Sequence, residues 1–100
     1  MILRIDEAFE ALRTEYNSGN ETIVTGLIDA IPSYIETNTG IKDAAGAADS
    51  FPLVKTLAKF LLCLWYNPDG TDAVQLQVVI NNLLKTLKAM ANDINAAGAQ

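Results

Sequence analysis

Apolar residues recur every three or four positions along most of this chain, the spacing that lays one stripe along an α-helix. Ile5, Phe9 and Leu12 lie one turn apart and predict a first helix over residues 6–16, with Tyr16 closing the stripe. Asp6, Glu7 and Glu10 stand near its amino end, where the helix dipole favours acids. Asn17-Ser18-Gly19-Asn20 breaks the pattern, and Ser18 followed by Glu21 fits a capping box. A second helix over 21–38 then carries Ile23, Val24, Leu27, Ile28, Ile31 and Ile35, and stops at Thr39-Gly40. Pro32 lies inside that stripe. A proline there removes one backbone hydrogen bond and crowds the preceding turn at a cost of ~3 kcal/mol, so a kink or break is expected near Ile28 to Ile31.

Residues 41–49 are small and have little to bury, which predicts a mobile loop with at most a helical turn among its alanines. The most apolar stretch follows. Ser50 is placed to cap a helix over 52–66, Pro52 suits its first turn, and Asn67-Pro68-Asp69-Gly70 stops it. Its second half, Phe60 to Tyr66, carries no charge, so other elements are expected to surround it. A last helix over 72–95 spaces Ala73, Leu76, Ile80, Leu83, Leu87, Met90 and Ile94 by alternating threes and fours, and residues 96–100 are expected to be disordered. That seam serves either the core of its own domain or a contact between subunits. The fold class expected is all-α: one helical domain over residues 1–100, a bundle of about four helices. Phe9, Leu12, Leu27, Ile28, Ile31, Ile35, Leu57, Phe60, Leu61, Leu64, Trp65 and Ile80 are its candidate core.

Charge changes this picture only a little. Seven basic and twelve acidic residues leave a net charge of −5, and no basic run is available to neutralise a phosphate backbone, which argues against a DNA reader. The charge is uneven. Residues 1–50 hold nine acids and three bases, residues 51–100 three acids and four bases. Ordinary solvated helix faces account for this, although it also suits copies docking head to tail. The single cysteine, Cys63, excludes a disulfide framework within the chain and reads as a buried small hydrophobe. No apolar stretch reaches the ~20 residues that cross a bilayer, and the start is charged too soon for a secretory signal, so a soluble, cytosolic protein is expected, with no membrane partner.

Candidate chemistry is sparse. With no histidine, the commonest general base and metal ligand are absent, and so is any Ser-His or Cys-His nucleophile. The turn from Asn67 to Asp72 superficially resembles a calcium loop, but Trp65 and Asn67 occupy its early ligand positions and no glutamate closes it. No glycine-rich phosphate loop is present. Catalytic, cofactor-binding and metal-binding residues are therefore expected to be none, and the chain is read as not an enzyme.

Leu27-Ile28-Asp29-Ala30, Tyr34-Ile35-Glu36 and Thr39-Gly40, followed by the helix that closes on Leu64-Trp65-Tyr66-Asn67, resemble the phage head-tail connector family of head-completion proteins. The resemblance covers roughly residues 5–67. It departs from the family at Pro32-Ser33, where a smooth helix is usual, and at Asn67-Pro68, where charged residues often follow the aromatic pair. The resemblance implies a structural protein of a phage or prophage virion that works without catalysis or cofactor. Copies would assemble as a homo-oligomeric ring beneath the portal protein after DNA packaging, extend the channel, and offer a surface to a downstream tail or head-completion protein. DNA would pass through without sequence-specific binding. The place implied is the head-tail junction of the virion, with the host cytoplasm before assembly. Leu76, Leu83, Leu87 and Met90 are the candidate ring contacts, set against the acidic first helix of a neighbour. The alternative is a small helical protein–protein interaction module unrelated to virions, which would bind one amphipathic partner helix.

Overall fold

The computed structural model describes residues 2–14 and 17–98, and among them every regular element is a helix. The chain is an all-α domain. Among the described residues there are five helices: α1 (Ile5–Leu12), α2 (Ser18–Thr39), α3 (Ala44–Ser50), α4 (Pro52–Tyr66) and α5 (Ala73–Gly98). α4 packs against all four others, and α5 also lies along α2 and α3. At ~1.5 Å per residue a 26-residue helix is about 39 Å long, so α5 alone spans the domain's longest dimension, 39 Å.

The first helix is shorter than its pattern predicts. α1 ends at Leu12 because Arg13 takes a left-handed conformation (φ 55°), from which its N–H donates to the Glu10 carbonyl and that of Thr14 to the Phe9 carbonyl. This closes the helix end as glycine usually does. The remainder of the predicted 6–16 helix, Glu15 and Tyr16, lies outside the described residues. α2 starts earlier than expected, and its cap is Asn17 rather than Ser18: the Asn17 side chain accepts a hydrogen bond from the Asn20 N–H at 2.8 Å.

Pro32 does not break α2, which is continuous from Ser18 to Thr39. Val24, Ile28 and Ile31 before the proline, and Ile35 and Thr39 after it, all lie in the core with 3% or less of their surface exposed. Burying four aliphatic side chains at ~1.5–3 kcal/mol each outweighs one ~3 kcal/mol proline penalty.

The predicted loop at 41–49 is largely helix. α3 is capped by the Asp43 carboxylate, which accepts from the Gly46 N–H at 3.1 Å, and a Cβ at Gly46 would strike that same carboxylate. Ala44, Ala47 and Ala48 are buried. Their small side chains let the α3 backbone approach its neighbours closely, so α3 is held by proximity where large apolar residues are lacking. Ser50, expected to cap the next helix, is instead the last residue of α3. Phe51 occupies the cap position of α4, with no side-chain capping bond, and Pro52 opens the helix. α5 continues past residue 95 through Ala96 and Ala97 to Gly98, residues expected in the disordered tail; Ala99 and Gln100 lie outside the described residues.

Of the candidate core, Phe9, Ile28, Ile31, Ile35, Leu57, Leu61 and Ile80 are buried. Leu12, Leu27, Phe60, Leu64 and Trp65 are half-buried and pack against that core. The chain adds Ile2, Leu3, Val24, Ile41, Val54 and Leu62 to it, all 3% exposed or less. The apolar end of α4 is less enclosed than its composition suggests, because Cys63 to Tyr66 all keep part of their surface in solvent.

Candidate functional site

Of the residues that carry the family resemblance, Tyr34, Glu36, Thr39, Gly40 and Trp65 lie where helices meet, while Leu27 to Ala30 lie in the middle of α2. Tyr34 of α2 meets Trp65 of α4 edge to face, with ring centroids 5.2 Å apart and planes at 87°. That geometry sets the positive ring edge of one against the negative face of the other. Two residues further along α2, the Glu36 carboxylate accepts a hydrogen bond at 3.0 Å from the N–H of Ala44, the first residue of α3. Thr39, buried at the end of α2, donates to the Ile35 carbonyl at 2.7 Å and accepts from the Ile41 N–H at 3.2 Å. Gly40 then turns the chain at φ 85°, a conformation that strains a residue with a Cβ.

Asn95 completes this corner from the far end of α5. Its side-chain oxygen accepts from the Lys42 N–H at 2.8 Å and its nitrogen donates to the Gly40 carbonyl at 3.1 Å. One amide thus satisfies a donor and an acceptor of the α2–α3 connection, 53 and 55 residues away in sequence. The sequence shows Asn95 only as a polar residue near a helix end; nothing in the spacing points to its partners. Replacing it with alanine is expected to cost about 1 kcal/mol, the typical value of such bonds near solvent. Faster hydrogen exchange at the Lys42 amide, with the rest of the domain unchanged, would report it. Beside this corner lies a cleft of about 400 Å³ lined by Lys42, Asp43, Phe51, Ile94 and Asn95.

Glu7 ties α1 to α4. Its carboxylate accepts from the Arg4 N–H at 3.1 Å and pairs with Lys55 Nζ at 2.7 Å, and its side chain is only 16% exposed. The Lys55 hydrogen bond, helped by the Arg4 N–H, lowers its pKa below the usual glutamate value of 4.5 against a weaker opposing effect of burial. A carboxylate with a lowered folded-state pKa stabilises the fold above its unfolded value, and that contribution is lost as the pH falls through the lowered one. Thermal stability should therefore drop with acidification below about pH 4.5. Glu7→Gln should make that acid limb shallower, which a series of melting curves would show.

Cys63 is half-buried and its Sγ lies 3.6 Å from the Ala11 carbonyl, which the thiol can reach as donor. Desolvation pushes its pKa up, so it is a poor nucleophile. Among the described residues no cluster of three His, Cys, Asp or Glu could hold a metal ion, and no helix is long and apolar enough to cross a membrane.

The candidate ring contacts fall mostly on the inner face of α5. Leu87 is fully buried and belongs to the core, a correction to its assignment as a subunit contact. The cause is its phase: it lies seven residues from Ile80 and seven from Ile94, both buried. Leu76, Leu83 and Met90 are half-buried against the same core. What α5 shows to solvent is different. Val74 is 77% exposed, Val78 55% and Val79 40%, and the twelve residues from Ala73 to Leu84 carry no charge. The signal was present in the sequence as two valines four residues apart, out of phase with the heptad seam.

No protein-family model matches this chain, and neither does any curated protein or solved structure.

Proposed function

We propose that this chain is a head-tail connector of a phage or prophage virion: a structural adaptor that assembles as a ring beneath the portal, continues the DNA channel, and carries the next connector or tail protein. The observation that carries this reading is the meeting of Tyr34 with Trp65. These two residues belong to the widely separated halves of the resemblance, and their contact joins the helices that bear them. Glu36, Thr39 and Gly40 form the adjoining corner, so the motif residues act together as hinges of one small helical frame.

The charge of the chain suits the role. With net charge −5 and its acids largely exposed, the domain offers phosphate little to hold, and DNA slides past a surface that repels it. Ring contacts come from surfaces other than Leu87, which the core occupies. Sequencing the DNA that flanks the gene tests the reading first. Portal and capsid genes upstream with tail genes downstream support it, and the decisive step is then assembly of the purified chain on that portal, seen as an added ring by electron microscopy. A neighbourhood of metabolic or regulatory genes would overturn it.

A second reading, a module that binds one amphipathic partner helix, draws on the valine face of α5. It requires a one-to-one complex instead of a closed ring.

A further inference from the structure

α3 differs from the other described helices in what it buries. Phe9 anchors α1, Ile28, Ile31 and Ile35 anchor α2, Leu57 and Leu61 anchor α4, and Ile80 and Leu87 anchor α5, all inside the core. α3 buries nothing larger than Ala44, Ala47 and Ala48. Its other residues include Gly46, which has no side chain to pack, and Asp49 and Ser50, which are exposed. A methyl group removes little apolar surface from water, while each residue fixed in a helix loses backbone freedom to the same extent as a leucine would. Residue for residue, α3 therefore gains least from packing.

The firm anchors lie just outside it. Ile41 is 2% exposed, and Asn95 of α5 holds the Lys42 N–H at 2.8 Å. At the far end Phe51 packs against the core and Pro52 opens α4. Between these fixed points the Glu36 carboxylate of α2 reaches across to the Ala44 N–H at 3.0 Å. The bonds from the Gly46 and Ala47 N–H groups to Asp43 stay within the segment and move with it. On one side the cleft of about 400 Å³ separates Gly46, Ala47 and Ser50 of α3 from Ile94 of α5, so close packing is lacking there.

We infer that α3 is a flap: residues 43–50 detach from the core as one unit, hinged at Lys42–Asp43 and Ser50–Phe51, while α1, α2, α4 and α5 stay folded. Glu36 is the clasp that holds it closed. Opening removes one wall of the cleft and bares the parts of α2 and α4 that α3 covers. Proteins open in cooperative units whose free energies run from near zero up to that of global unfolding, and a unit with few buried apolar contacts lies at the low end. The tether is short and fixed at both ends, so the flap recloses onto the same site. The inference stands apart from the connector reading, because it rests on the packing of a single chain.

Native-state hydrogen exchange of the full chain, read residue by residue by NMR at a series of low urea concentrations, is the test. Amides 47–50 are expected to exchange at least ~100-fold faster than those of Leu57 to Leu62 in α4, after correction for intrinsic rates, and urea should barely change that rate because the opening exposes little surface. Glu36→Ala should speed exchange across 47–50 about tenfold and leave α4 unchanged. Glu36→Gln, whose amide oxygen still accepts from the Ala44 N–H, should keep most of the protection. As a second readout, Ala48→Cys on a Cys63→Ala background should react with a thiol reagent far faster than Ala58→Cys, although both sites are buried in the closed fold. Equal protection of α3 and α4, exchange of both through one urea-sensitive opening, a Glu36→Ala variant that loosens α4 as much as α3, or equal labelling of the two cysteines would each overturn the flap.

Discussion

Leu61→Ala is expected to destabilise the domain by about 2–5 kcal/mol, the range for emptying a fully buried leucine site. Leu61 is 1% exposed at the middle of α4, the helix that touches all the others, with Leu57, Ala58 and Leu62 buried around it. The loss has two parts: the leucine's transfer free energy, and the contacts forfeited around a cavity that rigid neighbouring helices do not fill. Its size matters because a domain of 100 residues has only about 5–15 kcal/mol of stability in total. Leu53 on the same helix supplies the control, since it is 39% exposed. Leu53→Ala should cost well under half as much. Urea denaturation of both variants, read as midpoint shifts at constant slope, measures the difference. Equal losses would mean that α4 is not the centre of the fold.

Much of this architecture was legible in the sequence because it follows from helical spacing. Ile28, Ile31 and Ile35 announce the buried side of α2, and Pro52 with Asn67 bounds α4 at the residues where it begins and ends. What was illegible depends on contacts between distant residues or on small side chains. α3 has no large apolar stripe to detect, and its buried alanines acquire meaning only when other helices lie close against them. Arg13 ends α1 in a conformation that residue preferences assign to glycine. The two faces of α5 illustrate a harder ambiguity. A heptad of apolar residues identifies a stripe that will be covered, but not whether the cover is the same chain or another. Here Ile80, Leu87 and Ile94 go to the domain's own core, and the exposed valines lie on the other side. The motif residues Tyr34, Glu36, Thr39, Gly40 and Trp65 were found through resemblance, and their physical roles became visible only when the helices were set side by side.

Pro32→Ala is expected to stabilise the domain, which is unusual for a substitution at a half-buried site. Within α2 the proline has no N–H to donate to the Ile28 carbonyl, and its ring crowds the preceding turn; alanine removes both faults. Against the ~3 kcal/mol helix penalty stand two smaller effects, the lost packing of the ring and a more flexible unfolded chain worth about 0.4–1 kcal/mol. A net gain of about 1–2 kcal/mol corresponds to a rise in Tm of about 4–16 °C for a domain of this size. The consequence for function follows from position. The hydrogen bonds that tie the end of α2 to α3 and α5, from Glu36 to the Gly40 carbonyl held by Asn95, lie beyond the proline, so their alignment depends on the helix path through residue 32. If alanine raises Tm and leaves the Lys42 amide protected, the proline is merely tolerated in a helix held together by burial. If Tm falls, α2 needs the backbone path that proline imposes to bring Glu36 and Gly40 onto their partners, and the cost of Pro32 is the cost of that alignment.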